Sequence, residues 1–85
     1  MTQQAAGWKA TADIVLDVRP ELEQGGEPFV HIMEAAQAVP PGGTLVIIAP
    51  FEPVPLYDAL AARTLTHEMQ QVAESEWVVR FSRQR

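Results

Sequence analysis

The sequence predicts an α/β (α+β) two-layer sandwich with the element order βαβαββ, in which a four-stranded mixed sheet carries two helices on one face. Three observations predict this fold. An unbroken apolar run, Thr44–Ala49, has the length and β-branched content of a buried central strand. Two Glu-Pro steps, Glu27-Pro28 and Glu52-Pro53, occupy equivalent places in two strand–loop–helix units. Two alternating segments close the chain as a hairpin.

Length, charge and cysteine content narrow the classes of function. The 85 residues suffice for one domain with a thin core. Eleven acidic residues against six basic ones give a net charge of −5, which opposes binding to nucleic acids. No apolar run is long enough to cross a membrane, and no secretory signal is recognised, so a cytoplasmic location is expected. The absence of cysteine excludes disulfides, thiolate catalysis and persulfide chemistry.

The first part of the chain is predicted as a flexible N-terminal arm, residues 1–12, followed by a single domain at residues 13–85. The arm is small and polar, and Trp8 is its one large side chain. Residues 13–18 form the first predicted strand, with Ile14, Leu16 and Val18 on one face and Asp13, Val15 and Asp17 on the other. Arg19-Pro20 ends it, and a polar loop is expected over residues 21–26.

Proline marks the start of both predicted helices. Pro28 opens the first, whose apolar stripe holds Phe29, Ile32, Met33, Ala36 and Val39. His31 lies on the opposite side and is expected to be solvated. The second helix begins at Pro53 or Pro55, runs to residue 63 and presents three side chains to the core, with Tyr57 on its shoulder. These three side chains are Leu56, Ala59 and Leu60.

The C-terminal third is predicted as a hairpin. Residues 65–74 alternate loosely and form an edge strand that carries His67, and residues 77–81 alternate cleanly. A short polar turn at residues 74–76 joins them. Arg80, Arg83 and Arg85 are expected to be solvated side chains that aid solubility.

With both helices on one side, the other face of the sheet is expected to expose aliphatic side chains. These include Val15, Val78 and one side of the central strand. Two covers are predicted for this face: the arm that carries Trp8, or a second copy of the chain in a homodimer.

A ligand or docking site is predicted where the carboxyl ends of the parallel strands meet the amino ends of the helices. Arg19, Glu27, Phe51, Glu52 and Tyr57 are the residues expected at this edge. No catalytic residue, metal ligand or cofactor is predicted, because the sequence has no nucleophile–base spacing, phosphate-binding glycine loop or metalloprotease motif.

Five segments in order resemble the TusA/SirA-like superfamily, and more narrowly its cysteine-less uncharacterised branch, domain-of-unknown-function family twenty-two forty-nine. The resemblance spans nearly the whole chain, roughly residues 13–83. The five segments are Leu16-Asp17-Val18-Arg19, Glu27-Pro28-Phe29, Pro40-Pro41-Gly42, the stretch from Glu52 to Tyr57, and Trp77-Val78-Val79-Arg80.

The resemblance implies a βαβαββ sandwich whose last strand is antiparallel to its neighbours. TusA proteins carry sulfur on a cysteine that precedes the first helix, and here Glu27 stands in that place, so sulfur-carrier chemistry is not expected. Members of the branch often have a histidine where this chain has Phe51, and some are fused to hemerythrin-like domains. The expected function is a non-catalytic interaction or regulatory module with a protein partner. The alternative is a small-ligand, haem or metal-binding accessory domain that uses His31 or His67 and is linked to redox or nitrogen-oxide metabolism.

Overall fold

The computed structural model describes residues 4–85 and contains all six predicted elements, together with two short helices. Along the chain, the elements are α1 (Gln4–Thr11), β1 (Ile14–Asp17), α2 (Arg19–Glu23), α3 (Phe29–Ala38), β2 (Thr44–Ala49), α4 (Val54–Ala61), β3 (Leu65–Ala73) and β4 (Glu76–Arg83).

The four strands form one mixed sheet in the order β1-β2-β4-β3, which confirms the predicted fold class. β1 and β2 are parallel, and β4 runs antiparallel to both of its neighbours, β2 and β3. β2 is central and almost entirely buried, as its unbroken apolar run predicted. β1 and β3 are the two edges of the sheet.

The main core lies between the sheet and the helices α3 and α4. Leu45 and Ile47 of β2 point to this side, and Phe81 of β4 lies opposite Leu45 in the register. Ile32 and Leu60 from the two helices pack against them. The buried apolar side chains form one contiguous cluster on this face, so the predicted two-layer arrangement accounts for most of the core.

The N-terminal arm was expected to lack regular structure, and this is wrong for residues 4–11, which form α1. The helix places Ala5 and Trp8 against the outer face of the sheet, where they pack with Val46, Ile48 and Val78. Ala5 and Trp8 are three residues apart, so they lie on the same side of a helix. Two apolar positions were too few for the sequence pattern to predict this helix. Residues 1–3 of the predicted arm lie outside the described residues.

Of the two covers predicted for the open face, the structure places the Trp8 segment there. The backbone N–H of Ala5 donates to Oε1 of Gln70 at 2.7 Å, and Nζ of Lys9 lies 3.2 Å from Oε2 of Glu76. Val15 at the edge stays 45% exposed. A homodimer through this face gains no support, since α1 occupies its centre.

The loop expected at residues 21–26 is shorter than predicted, because α2 extends to Glu23. Pro20 does not prevent this helix, since proline is tolerated in the first turn. Leu22 packs against the main core, and burying this side chain stabilises the turn of helix.

The prediction that the C-terminal arginines are merely solvated is also wrong for two of the three. The guanidinium of Arg80 bonds to Glu68 and lies 5.2 Å from the ring centre of Trp8. Arg83 donates to four acceptors at the ends of α3 and α4. These contacts join elements that are far apart in sequence, so sequence spacing gave no sign of them. Arg85 is exposed.

Within residues 4–85, every helix falls short of the length and apolar character needed to cross a membrane.

Candidate functional site

An apolar cleft opens at the edge where the carboxyl ends of β1 and β2 meet the starts of α3 and α4. Its volume is about 220 Å³. The floor is formed by Val18, Ala49 and Ile32, which belong to or adjoin the buried core. We call this feature the apolar cleft, and its lining is Val18, Leu22, Glu27, Pro28, Phe29, Ile32, Ala49, Phe51, Pro53, Pro55 and Leu56.

Prolines give the apolar cleft its shape. Pro28 is the N-cap of α3, and Pro53 is the N-cap of α4, so both helices begin at the cleft. Pro55 lies in the first turn of α4, where a proline costs no helical hydrogen bond. The rings of these prolines fix the φ angles at their own positions and so restrict the backbone of the rim.

Two aromatic side chains at the rim of the apolar cleft are open to solvent. Phe29 is 46% exposed and Phe51 is 54% exposed. Phe29 was expected within the core stripe of its helix, but it is the first residue of α3 and lies on the cleft, beyond the sheet. Val54, in the first turn of α4, adds further exposed apolar surface at 53%. Exposed apolar side chains grouped beside a cleft are typical of a binding surface.

Glu27 is the one ionisable side chain in the cleft lining. It is exposed, and none of the ion pairs within residues 4–85 involves it. A carboxylate beside an apolar surface offers a hydrogen-bond acceptor and a negative charge to a bound group. The apolar cleft can therefore bury an apolar side chain and attract a neighbouring cation.

Glu52 and Tyr57 form a second group next to the cleft. The Tyr57 hydroxyl donates to Oε2 of Glu52 at 3.0 Å. The Tyr57 ring stacks on His67 of β3 with centroids 3.8 Å apart and planes 5° from parallel. Burial, and then the hydrogen bond to the negative Glu52, raise the pKa of Tyr57 to about 12. Tyr57 therefore stays neutral and keeps its hydroxyl proton as a hydrogen-bond donor. It positions Glu52 through this hydrogen bond and His67 through ring stacking.

Arg19 faces away from the cleft. Its Nε and Nη2 donate to the two carboxylate oxygens of Asp17 at 3.0 and 2.8 Å, and its Nη1 lies 3.5 Å from Glu76. The hydrogen bond from Arg19 lowers the pKa of Asp17 and raises the pKa of Arg19 in turn. Because Glu76 also pairs with Lys9, this network links β1, β4 and α1 on the other side of the sheet.

The five residues predicted at this edge thus divide into three groups. Glu27 and Phe51 line the apolar cleft, Glu52 and Tyr57 bond to each other beside it, and Arg19 pairs with Asp17. The predicted site did not include Phe29 or the prolines, which also line the cleft. The repeated combination of an aromatic residue with a Glu-Pro step, in Glu27-Pro28-Phe29 and Phe51-Glu52-Pro53, was the available signal.

The two histidines do not share a site. His31 is exposed on α3 and its Nδ1 lies 3.2 Å from Oε1 of Glu21. His67 lies on β3 against Tyr57. Within the part of the chain that the structure describes, no three or more histidine, cysteine, aspartate or glutamate side chains come close enough to hold a metal ion.

The fold and the apolar cleft define a small α/β domain with an apolar cleft at the N-termini of α3 and α4. A family model described as "Uncharacterized conserved protein (DUF2249)" matches residues 15–83, and the chain belongs to this family. The narrower family resemblance is thereby confirmed, whereas the wider placement in the TusA/SirA-like superfamily stays a prediction. α1 lies outside the matched residues. Searches of curated proteins and of solved structures found no match.

Proposed function

We propose that this chain is a non-catalytic, TusA-like protein-interaction module whose apolar cleft receives an apolar side chain of a partner protein next to a lysine or arginine. The observation that carries the proposal is the combination of an open apolar cleft with the single carboxylate of Glu27 at its edge.

The size of the cleft favours a side chain over a whole small molecule. Pockets for drug-sized ligands usually have volumes of roughly 300–1,000 Å³, and the cleft measures about 220 Å³. A haem group is larger still than such ligands. A single aromatic or branched side chain is the kind of group that docks in a shallow apolar cleft at a protein interface.

The charge of the chain favours a basic neighbour for that side chain. The chain carries a net charge of −5, and three of its six basic side chains pair with carboxylates: Lys9 with Glu76, Arg19 with Asp17, and Arg80 with Glu68. Glu27 therefore presents its charge without a competing cation among the described residues. Complementary charge at the rim of an interface accelerates encounter and selects the partner.

The topology supports the TusA-like part of the proposal. The order βαβαββ, the antiparallel last strand and Pro28 at the start of the first long helix all agree with the expected sandwich. Glu27 occupies the place of the sulfur-bearing cysteine, and a carboxylate does not hold sulfane sulfur. We infer that the docking edge is retained in this chain while the carrier chemistry is lost.

The geometry gives less support to the alternative of a haem or metal-binding accessory domain. His31 is paired with Glu21, and His67 is stacked on Tyr57. Neither of them lines the apolar cleft.

A pair of capped peptides tests the proposal. One carries a phenylalanine between two lysines, and the other carries it between two glutamates. In nuclear magnetic resonance titrations, the lysine peptide should shift the backbone amides of Phe29, Phe51 and Leu56, and the glutamate peptide should not. Glu27→Lys should reverse this preference, because it reverses the charge at the rim.

Glu34→Lys is the matched control, since Glu34 is an exposed carboxylate on α3, the helix that Glu27 precedes, and does not line the cleft. It should keep the preference for the lysine peptide. Shifts that fall outside the cleft, or equal responses to the two peptides in the unaltered chain, would reject the proposal.

A further inference from the structure

β3 leaves an unusually open edge on the sheet. It is the longest strand, and every one of its side chains except Leu65 and Gln70 is exposed. It lies at the end of the strand order, so one side of its backbone has no partner strand. Natural edge strands usually carry lysine, proline or an inward charge that prevents pairing with another chain. β3 contains no lysine, arginine or proline, and its one carboxylate, Glu68, is held by Arg80.

The direction of the backbone groups along β3 follows from the register. The N–H of Arg83 donates to the carbonyl of Gly43 at 3.0 Å, so the backbone of Arg83 faces β2. Since these groups alternate in direction along a strand, the backbone of Arg80 faces β3 and bonds to its register partner, Glu68. The backbone groups of the odd-numbered residues of β3 therefore face solvent. In the regular part of the strand, these are Leu65, His67, Met69 and Gln71.

This edge is complementary to itself. If two copies of β3 pair antiparallel about a twofold axis at Met69, Met69 meets Met69 of the second copy, and His67 meets Gln71 of the second copy. All of these residues present outward N–H and C=O groups, so both bonds of each pair form. The irregularity between Gln71 and Ala73 ends the regular segment just beyond this stretch.

The side chains that face each other in this register are also compatible. Glu68 meets Gln70 of the second copy, so the single charge of the strand faces an amide and not another carboxylate. Oε1 of Gln70 already accepts from Ala5 at 2.7 Å, which leaves its amide NH2 directed to donate elsewhere. Met69 is 45% exposed, and pairing buries it against its own symmetry mate. Opposite-strand pairs without like charges stabilise a sheet.

From these observations we infer that the chain forms a homodimer by antiparallel pairing of β3 with β3 of a second copy, which extends the two sheets into one. The other edge strand of the sheet, β1, is less suited to pairing with a second copy. β1 has only four residues and ends at Asp17, which pairs with Arg19. The β3 edge is separate from the apolar cleft, so this inference does not depend on the proposed docking function.

The net charge of −5 on each copy opposes association over long distances, and salt screens this repulsion. Sedimentation velocity of the full chain should show a monomer–dimer equilibrium that depends on concentration and shifts toward dimer when sodium chloride is added. Hydrogen exchange should slow at His67, Met69 and Gln71 as the protein concentration rises.

Three variants test the pairing. Met69→Lys places two like charges together at the twofold axis, and Gln71→Pro removes an outward N–H from each copy. Each should weaken the dimer at least about tenfold, while circular dichroism shows an unchanged fold, because proline is tolerated where the N–H of an edge strand faces solvent. Met69→Leu keeps the apolar contact and should dimerise like the unaltered chain. A chain that is monomeric at every concentration would refute the inference. A dimer unaffected by both Met69→Lys and Gln71→Pro would refute it as well, since another surface would then hold the two copies together.

Discussion

Arg83 shows how one side chain can complete two helices at once. Its Nε donates to the carbonyl of Val39, its Nη2 donates to that of Ala36, and its Nη1 donates to that of Arg63, over distances of 2.8–2.9 Å. The last carbonyls of a helix have no partner within the helix, and they carry the negative end of its dipole. One cation from β4 therefore ties the C-terminal ends of α3 and α4 to the sheet.

Replacing Arg83 should destabilise the protein without altering the apolar cleft. Arg83→Met keeps an unbranched side chain but removes the donor to Val39 and one of the two donors to each of Ala36 and Arg63, and we expect the free energy of unfolding to fall by about 2 kcal/mol. Urea denaturation monitored by circular dichroism measures it. Arg85→Met is the control, because Arg85 is exposed and should change stability little. Equal midpoints for the two variants would contradict the capping role.

Tyr57 gives a prediction about pH. Burial and the hydrogen bond to Glu52 raise its pKa in the folded chain to about 12 from an ordinary value of 10.0. The unfolded chain therefore loses this proton first, so the contribution of Tyr57 to stability is complete below pH 10 and is lost as pH rises toward 12. Because the chain has one tyrosine, its near-ultraviolet absorbance reports the titration directly.

Glu52→Gln should move this titration to lower pH, since it removes the negative charge that opposes the phenolate. Burial would still hold the pKa of Tyr57 above its ordinary value. Glu34→Gln, on the exposed side of α3, should leave the titration where it is. A midpoint near 10 in the unaltered chain would show that Tyr57 is not held as described.

Among the elements, α1 is the one that shields the outer face of the sheet from water. It has only eight residues, and a helix this short is unstable by itself. Its stability comes from Trp8, which is 6% exposed against Val46 and Val78, and from the contact between the Trp8 ring and Arg80. The helix and the outer sheet face therefore stabilise each other.

Trp8→Ala should lower the free energy of unfolding by about 3 kcal/mol, because it removes a large buried side chain and exposes the face beneath. Ala10→Ser, on the exposed side of α1, is the matched control and should have little effect. In a Trp77→Phe background, Trp8 fluorescence should resist quenching by acrylamide until the chain unfolds. Ready quenching of the folded chain would show that α1 does not rest on the sheet.

At the scale of the whole molecule, charge and apolar surface are segregated. The cations Lys9, Arg19 and Arg80 are engaged with carboxylates on or near the α1 face, whereas the apolar cleft lies at one edge with Glu27 as its charged group. The open edge of β3 is a further, separate surface. These are the two surfaces for which we propose association, the apolar cleft with a basic partner and the edge of β3 with a second copy of the chain.

Much of the fold was predictable because its signals are local. Each of these signals depends on backbone preference and burial within a few residues. They are the apolar run of β2, the alternation in β4 and the prolines before α3 and α4. These signals gave the element order and the position of the edge at which the cleft opens. They missed α1, whose buried side chains are only Ala5 and Trp8, and α2, which has five residues, because neither helix has enough apolar positions for a periodic pattern.

Composition and short-range pattern established the order of the four strands with α3 and α4, the acidic charge and the absence of cysteine, because these are properties of the chain before it folds. Packing in the folded chain settled which face α1 covers, that Arg19 pairs with Asp17 and not with Glu27, and that Arg83 donates to the ends of two helices. Some of these contacts join residues that are distant in sequence. In others, one side chain has more than one possible partner close to it. Their outcome depends on the distances that packing establishes, and local pattern does not contain those distances.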